Sequence, residues 1–326
     1  MKKETLMKNF IQVWTALCLQ CFVCLAYSQG VPLNVRIIIP LAAGGPTDIY
    51  GRLAAEALRN NLKTTVVTEN HAGGNGAVGV NLLKQGATDG SNLLFASSGM
   101  ITFFPLIDKS IPYDPVKDLV PIVCIAQTEI GVIVAKNIQA NSIKELVALA
   151  KSSSTPLSFG SAGKGNILHA YIELLKDVAN IELLHIPYKG ATPAYADVLG
   201  GQISGMFISV GLAKPSVQAG KVKMIAVVGR RSALLPDIQT ISEQGFSGLE
   251  ILPWFAIMGP RGISQMNIQK IADAITKSFE TEDFKKRLAE AGAVPLVLSG
   301  QNFTNMINTE TAIWSKLIKE KNIALD

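Results

Sequence analysis

The sequence predicts an α/β protein: two doubly wound halves with a ligand cleft between them. Three observations point there. Strand-like apolar runs alternate with amphipathic stretches along the chain, the pattern of sheets covered by helices on both faces. Several of those runs end in a glycine-bearing loop that turns directly into a helix. The alternation also starts afresh after "LVPIVCIAQTEIGVIVA", which marks a second unit within a length of 326 residues that suits two domains.

The first element is a leader. Lys2, Lys3 and Lys8 precede an apolar stretch from Phe10 to Tyr27, and Ala26-Tyr27-Ser28 supplies small residues for a peptidase. The stretch reads as a secretory signal peptide over residues 1–28, cut near Ser28–Gln29. An uncleaved membrane anchor is its rival, because the stretch is of borderline length for a span. Cys18, Cys21 and Cys24 do not follow the small residue that a lipoprotein signal needs. Without residues 1–28 the chain keeps 27 basic and 24 acidic residues, a net of +3. That is too mild to favour nucleic acid, and no Lys/Arg cluster stands out. Only Cys124 remains, in the apolar run "PIVCIAQ", so no internal disulfide is possible and the thiol reads as core filler. No later apolar run is long enough to span a membrane.

In order, "VRIIIP" (35–40) leads into a helix over "TDIYGRLAAEALRNNL"; "TTVVTEN" (64–70) leads into one over "AVGVNLLKQGA"; "NLLFASSG" (92–99) follows. These runs suggest a parallel sheet. In the second unit "LSFGSAG" (157–163) precedes a helix over "NILHAYIELLKDV", and "IELLHIPYKG" (181–190) precedes "PAYADVLGG"; "GMFISVG" and "VKMIAVVG" come next. The tail returns through "WFAIMGP" to helices expected over 264–279, 282–292 and 301–322. The chain is expected to cross between halves near Gln127–Val132 and again between Gly229 and Trp254. Domain 1 is then 29–127 plus 230–326, and domain 2 is 128–229.

Function is sought in the loops. "PLAAGGPTD" (40–48), "FGSAGKGN" (159–166) and "PYKGATPA" (187–194) each join a strand to a helix, with "ASSG" (96–99) a weaker fourth. The first N–H groups of a helix lack intrahelical partners and carry partial positive charge. Glycines let a ligand approach that backbone, which suits a carboxylate or a phosphate, and in open α/β sheets ligands bind at the strands' carboxyl ends. Capping alone would also explain Thr47, Asp48 and Asn166 in any single loop; three loops split between two halves favour a cleft lined by donors. "GNGAVG" at Gly74–Gly79 fits a dinucleotide fingerprint but lacks the acidic residue that motif wants, and reads as a tight turn. His71, His169 and His185 have no zinc spacing and no Cys/His cluster exists, so neither metal nor cofactor is expected. His169 sits in a helix's first turn, where it either donates to a carboxylate or packs on the strand end. His185 reads as structural. Asp197 is either a helix-surface acid or the partner of a ligand's amino or hydroxyl group.

These loops, in this order, resemble those of the extracytoplasmic receptors of the tripartite tricarboxylate transporter family, the Bug receptors. The resemblance runs from about Arg36 to the C-terminus and is carried by "RIIIPLAAGGPTDIYGRLAAEAL", "VVTENHAGGNGAVG", "FGSAGKGNILHA", "LPDIQTISEQG" and, most specifically, "PYKGATPAYADVLGGQ". It implies a type II periplasmic binding fold, a non-enzymatic solute-binding role in the periplasm, and capture of a di-, tricarboxylate or related acid. A membrane permease is the implied partner, and a monomer is the expected form. Carried over residue by residue, the ligand shell would comprise Leu41, Ala42, Gly44, Gly45, Thr47 and Asp48; Ser98 and Gly99; Gly160, Ser161, Ala162 and Gly163; and Lys189, Gly190 and Thr192. Where the family's second-domain helix opens with Ser/Thr before its His, this chain reads Asn166-Ile167-Leu168-His169, an apolar pair that would shrink or dry the pocket. The family's Arg-Pro is replaced by His71-Ala72. The competing readings are an exported hydrolase using Ser161 and His169, and a ligand-sensing receptor serving a sensor kinase.

Overall fold

Residues 32–320 are described by the computed structural model; the leader and the last two residues of the helix expected over 301–322 lie outside them. The first sheet has six strands in the order β11-β4-β10-β3-β1-β2. Its strands are β1 Asn34–Ile39, β2 Thr65–Asn70, β3 Asn92–Ser97, β4 Leu119–Thr128, β10 Trp254–Pro260 and β11 Ala293–Ser299. Alternate residues of β1 serve opposite faces: Ile37 and Ile39 join a core beneath helix α1 (Pro46–Leu62), whereas Ile38 faces Val80 and Leu83 of helix α2 (Ala77–Gln85). Cys124 is fully buried in this second core.

The second sheet has five strands in the order β7-β6-β8-β5-β9, namely β5 Ile130–Ala135, β6 Leu157–Ser161, β7 Leu183–Pro187, β8 Gly205–Ser209 and β9 Val222–Val227. Helices α3 (Ile143–Ser152), α4 (Ile167–Ala179), α5 (Ala191–Leu199) and α6 (Val210–Gln218) cover its two faces. The expected parallel sheets are mixed. β1 pairs in parallel with β2 and β3, but β10 and β4 run antiparallel to their neighbours, and β5 is antiparallel to β8 and β9. A continuous apolar run reports burial on both faces and carries no strand direction, so which strands run antiparallel was invisible to it, although the crossings themselves were expected near Gln127–Val132 and between Gly229 and Trp254.

The links between sheets position the site. Glu129 alone separates β4 from β5; its N–H donates to Gly292 O at 3.0 Å and its carbonyl accepts from Val210 N at 3.0 Å. The segment 230–252 packs onto the second sheet through Ile241, Leu249 and Leu252. It returns at Pro253, whose carbonyl accepts from Thr128 N at 2.8 Å. The tail adds α7 (Gln265–Phe279), α8 (Glu282–Glu290) and α9 (Gly300–Glu320). Helix α9 bridges both sheets: Phe303 packs in the core that holds Cys124, Trp314 in a core of the second sheet, where its ring meets Phe103 edge-on at 4.8 Å. Between them the buried Glu310 accepts hydrogen bonds from Thr102 Oγ1 and Trp254 Nε1, both at 2.6 Å, and burial pushes its carboxyl up to about 6. Among the described residues no helix is long and apolar enough to cross a membrane.

Candidate functional site

A cavity of about 250 Å³ lies between the two sheets, where the loops from both meet. From the first sheet come Leu41, Ala42, Gly45 and Thr47 of the loop after β1, together with Ser97, Thr128, Pro253 and Phe255. From the second come Ala162, Asn166, Ile167 and Leu168 after β6, Gly190 to Pro193 after β7, and Ser209 and Leu212 after β8, with Ile130 between. The β1 and β7 loops face each other closely: a Cβ built on Gly190 would lie 3.9 Å from Ala42 Cβ.

Helix ends explain what this lining can do. α3, α7 and α8 are capped by Ser142, Ser264 and Thr281 side chains. The helices opening on the cavity differ. α1 starts at Gly45 and α5 at Gly190, and neither has a side-chain cap; Pro46 at the first position of α1 has no N–H to satisfy. α6 starts at Ser209, again without a side-chain cap. Only α4 caps itself, Asn166 accepting from Leu168 N at 3.0 Å. Uncapped N-termini leave backbone donors and partial positive charge for a ligand. Among the described residues, no charged side chain and no histidine lines the cavity.

Other residues expected at the ligand make contacts that support the loops. Asp48 is buried and holds the β1 loop in shape, its carboxylate accepting from Gly44 N at 3.0 Å, Arg52 Nε at 3.0 Å and Asn70 Nδ2 at 3.0 Å. Asn70 also donates to Leu41 O at 3.0 Å. Burial pushes the Asp48 carboxyl up, but these hydrogen bonds together outweigh it and hold it below the usual range. Gly44 takes φ +83°, a conformation that glycine adopts freely. Ser98 is fully buried behind the loop, accepting from Trp254 N at 3.4 Å. A Cβ built on Gly99 would lie 3.4 Å from Ile167 Cβ across the cleft, and Gly99 lines a small recess with Leu41, Ser97 and Asn166. A Cβ built on Gly160 would meet Ile203 Cδ1 at 2.6 Å, and one on Gly163 would meet Tyr188 O at 3.4 Å and the side chain of Asn75, which donates to Lys164 O, at 3.5 Å. Lys189 is exposed, and Asp197 accepts from Tyr188 Oη at 2.6 Å.

The pairing of Ser161 with His169 that the competing hydrolase reading would use does not form. Ser161 Oγ lies 2.6 Å from His185 Nε2, because β6 and β7 are neighbours in register. His169 accepts from Gly165 N on Nδ1 at 3.2 Å, which leaves its proton on Nε2, 3.5 Å from Glu173. The two imidazoles stack at 3.7 Å. Ser161 is fully buried and does not line the cavity.

This cluster makes a testable pH signature. Burial, then the neighbouring His169, lowers the His185 pKa from 6.5 to about 4. Between those values the unfolded chain binds a proton that the folded chain does not, so stability rises with pH there. Melting temperature is expected to fall as pH is lowered from about 6.5 to about 4, and a His185→Gln protein to show a flatter dependence over that window. An unchanged slope in the variant would place the titrating group elsewhere.

Sequence reasoning named Leu41, Ala42, Gly45, Thr47, Ala162, Gly190 and Thr192, which the cavity brings together. It missed Thr128, Ser209, Leu212, Pro253 and Phe255. "GMFISVG" carried a usable signal for Ser209, since it too ends a strand in a polar residue before a helix.

Comparison with known proteins agrees in kind. Residues 50–323 match the model of the tripartite tricarboxylate transporter family receptor. A Pseudomonas sp. strain P51 protein, described as the UPF0065 protein in the tcbD-tcbE intergenic region, is 30% identical, the match covering 87% of this chain and 84% of that one. Among solved structures, R. palustris Rpa4515 with adipate has a TM-score of 0.85 at 27% identity, covering 89% of this chain and 98% of that one. The periplasmic binding protein BugD has a TM-score of 0.83 at 29% identity, with the same coverage.

Proposed function

The chain belongs to the tripartite tricarboxylate transporter receptor family, and from that premise we propose that it is a periplasmic solute-binding protein capturing a small organic carboxylate for the membrane subunits of such a transporter. One observation carries the reading: uncapped N-termini of α1 and α5, one from each side of the cleft, meet over a cavity with no charged side chain. Neutral dipoles of this kind hold an anion and leave it unreacted. The similarity to a protein with bound adipate supports a carboxylate.

In this reading residues 1–28 export the protein, and the mature chain works as a monomer. Its two lobes, one of 29–127 with the tail from Pro253 and the other of 128–229 with 230–252 packed on it, close on the ligand about the strands at Thr128–Ile130 and Pro253, and the closed form docks on the permease. A hydrolase would need an accessible nucleophile beside its base; Ser161 is fully buried and off the cavity, which favours binding without turnover.

Thermal melting of the mature protein against mono-, di- and tricarboxylates, aromatic acids and phosphate esters tests the proposal. A ligand at about 100 times its Kd adds about 2.7 kcal/mol to the folded state. One carboxylate class is expected to raise the melting temperature and be recovered unchanged. A panel without any shift, or an acid that is consumed, would refute it.

A further inference from the structure

Helix α9 carries an acid into the interior. Glu310 is 8% exposed and stands between Phe303 and Trp314, the residues by which α9 joins the two sheets. The groups that act on its carboxyl are all uncharged. They are Thr102 in the wide helical turn Gly99–Phe103 after β3, Trp254 at the start of β10, and Trp314 one turn further along α9. The titratable groups that feel its charge are the Cys124 thiol of β4 and the Tyr171 hydroxyl of α4, both pushed up by burial and therefore uncharged. A carboxylate buried without a cation is costly.

Counting protons settles which form fits. Thr102 Oγ1 lies 2.6 Å from Glu310 Oε1 and 2.9 Å from Ser98 O. A hydroxyl has one proton, and a carbonyl oxygen or a carboxylate can only accept. With Glu310 ionised, Thr102 serves one of these oxygens and leaves the other facing it unbonded. With Glu310 protonated the conflict disappears. The acid donates to Thr102 Oγ1, Thr102 donates to Ser98 O, and Glu310 Oε2 accepts from Trp254 Nε1 at 2.6 Å. Ionisation reverses the first bond, and Ser98 O loses the Thr102 hydroxyl. Among the described residues Trp314 Nε1 has no partner at hydrogen-bond geometry, so a spare donor is at hand for the charged form.

These atoms stand directly behind the cavity. Ser97 and Phe255 pair across β3 and β10 and line it together with Pro253. Their chain neighbours are Ser98 and Trp254, and Trp254 N donates to Ser98 Oγ at 3.4 Å. We propose that Glu310 is a positioning residue held as the neutral acid, whose proton pins the end of β3 and the start of β10 into the cavity wall, and that loss of this proton loosens the wall. The device acts on the wall itself, so it goes beyond the receptor reading and does not depend on which ligand the cavity takes.

Tryptophan emission tests it. Apart from Trp14 in the leader, the chain's tryptophans are Trp254 and Trp314, and both act on this carboxyl. Emission of the mature protein is expected to titrate with a midpoint at about 6. In Glu310→Gln, whose amide offers a donor beside an acceptor at any pH, it should stay at the parent's acid-side value. Between 4.5 and about 6 the folded chain holds a proton that the unfolded chain releases, so this contribution to stability is lost as pH rises through that window. His185 acts in the opposite sense over part of the same range, so the variant is compared with the parent at each pH. Glu310→Gln should melt with the parent near pH 4.5 and a few degrees above it at about pH 8. Hydrogen exchange at that higher pH should be several-fold slower over 97–102 and 253–255 in the variant than in the parent. A variant that melts below the parent there would mean that the parent needs a carboxylate, and a titration that survives in Glu310→Gln would belong to another group; either overturns the inference. Equal exchange in the two proteins would overturn the positioning role.

Discussion

A Gly45→Val protein is expected to fold as the parent does and to lose carboxylate binding by about 100-fold. The fold should survive because Gly45 already has the extended conformation, φ −87° and ψ 173°, that a β-branched residue before proline prefers. A Cβ there has no heavy atom nearer than Ala42 O at 4.0 Å. Binding should fail because Gly45 lines the cavity at the start of α1, so the added methyls stand where a carboxylate must approach the first N–H groups of the helix. Hydrogen bonds to a charged group contribute about 1.5–3 kcal/mol each, and losing two accounts for about 100-fold or more. Paired titration and melting experiments check this: full affinity would show that the anion sits elsewhere, and an unfolded variant would show that Gly45 is needed by the chain itself.

Gly211→Val should do the reverse, damaging the protein before the ligand is added. A Cβ on Gly211 would lie 2.4 Å from both Ala291 C and Gly292 N, and one on Gly292 would lie 2.3 Å from Gly211 N. The start of α6 therefore rests backbone to backbone on the turn between α8 and β11, joining the second sheet to the first. Backbone atoms cannot swing aside as a side-chain tip can, so the lobes must part or the turn must rebuild. Overpacking of this kind costs about 3 kcal/mol, or roughly 5 °C in melting temperature for a protein of this size. Affinity should fall as well, since Ser209 moves with α6. A melting temperature within about 2 °C of the parent would mean that the two lobes do not meet at these glycines.

Much of this arrangement was legible beforehand where the signal is local. The Gly-Gly-Pro-Thr-Asp turn announces the start of α1, and the predicted helix over 264–279 begins at its Ser264 cap. The apolar pair Ile167-Leu168 lines the cavity as its departure from the family pattern suggested. Elements without such punctuation were missed. β11 contains Pro295 and a break in register between Pro295 and Leu298, which blurs its period of two. α3 passed unnoticed although Ser142 caps it.

The sequence by itself determined which loops carry exposed helix N-termini, because glycine, proline and capping residues act on their immediate neighbours. It also determined the family to which the loops belong. Only the tertiary structure decided what each polar side chain does. Asp48, Asp197 and His169, expected at the ligand, also find partners within the fold in Asn70, Tyr188 and Glu173. Thr128, Pro253 and Ser209 became cavity walls because two crossings bring their strands to one edge. A hydrogen bond takes whichever partner the fold brings within about 3 Å, and separation along the chain says little about that when the partners lie on different strands.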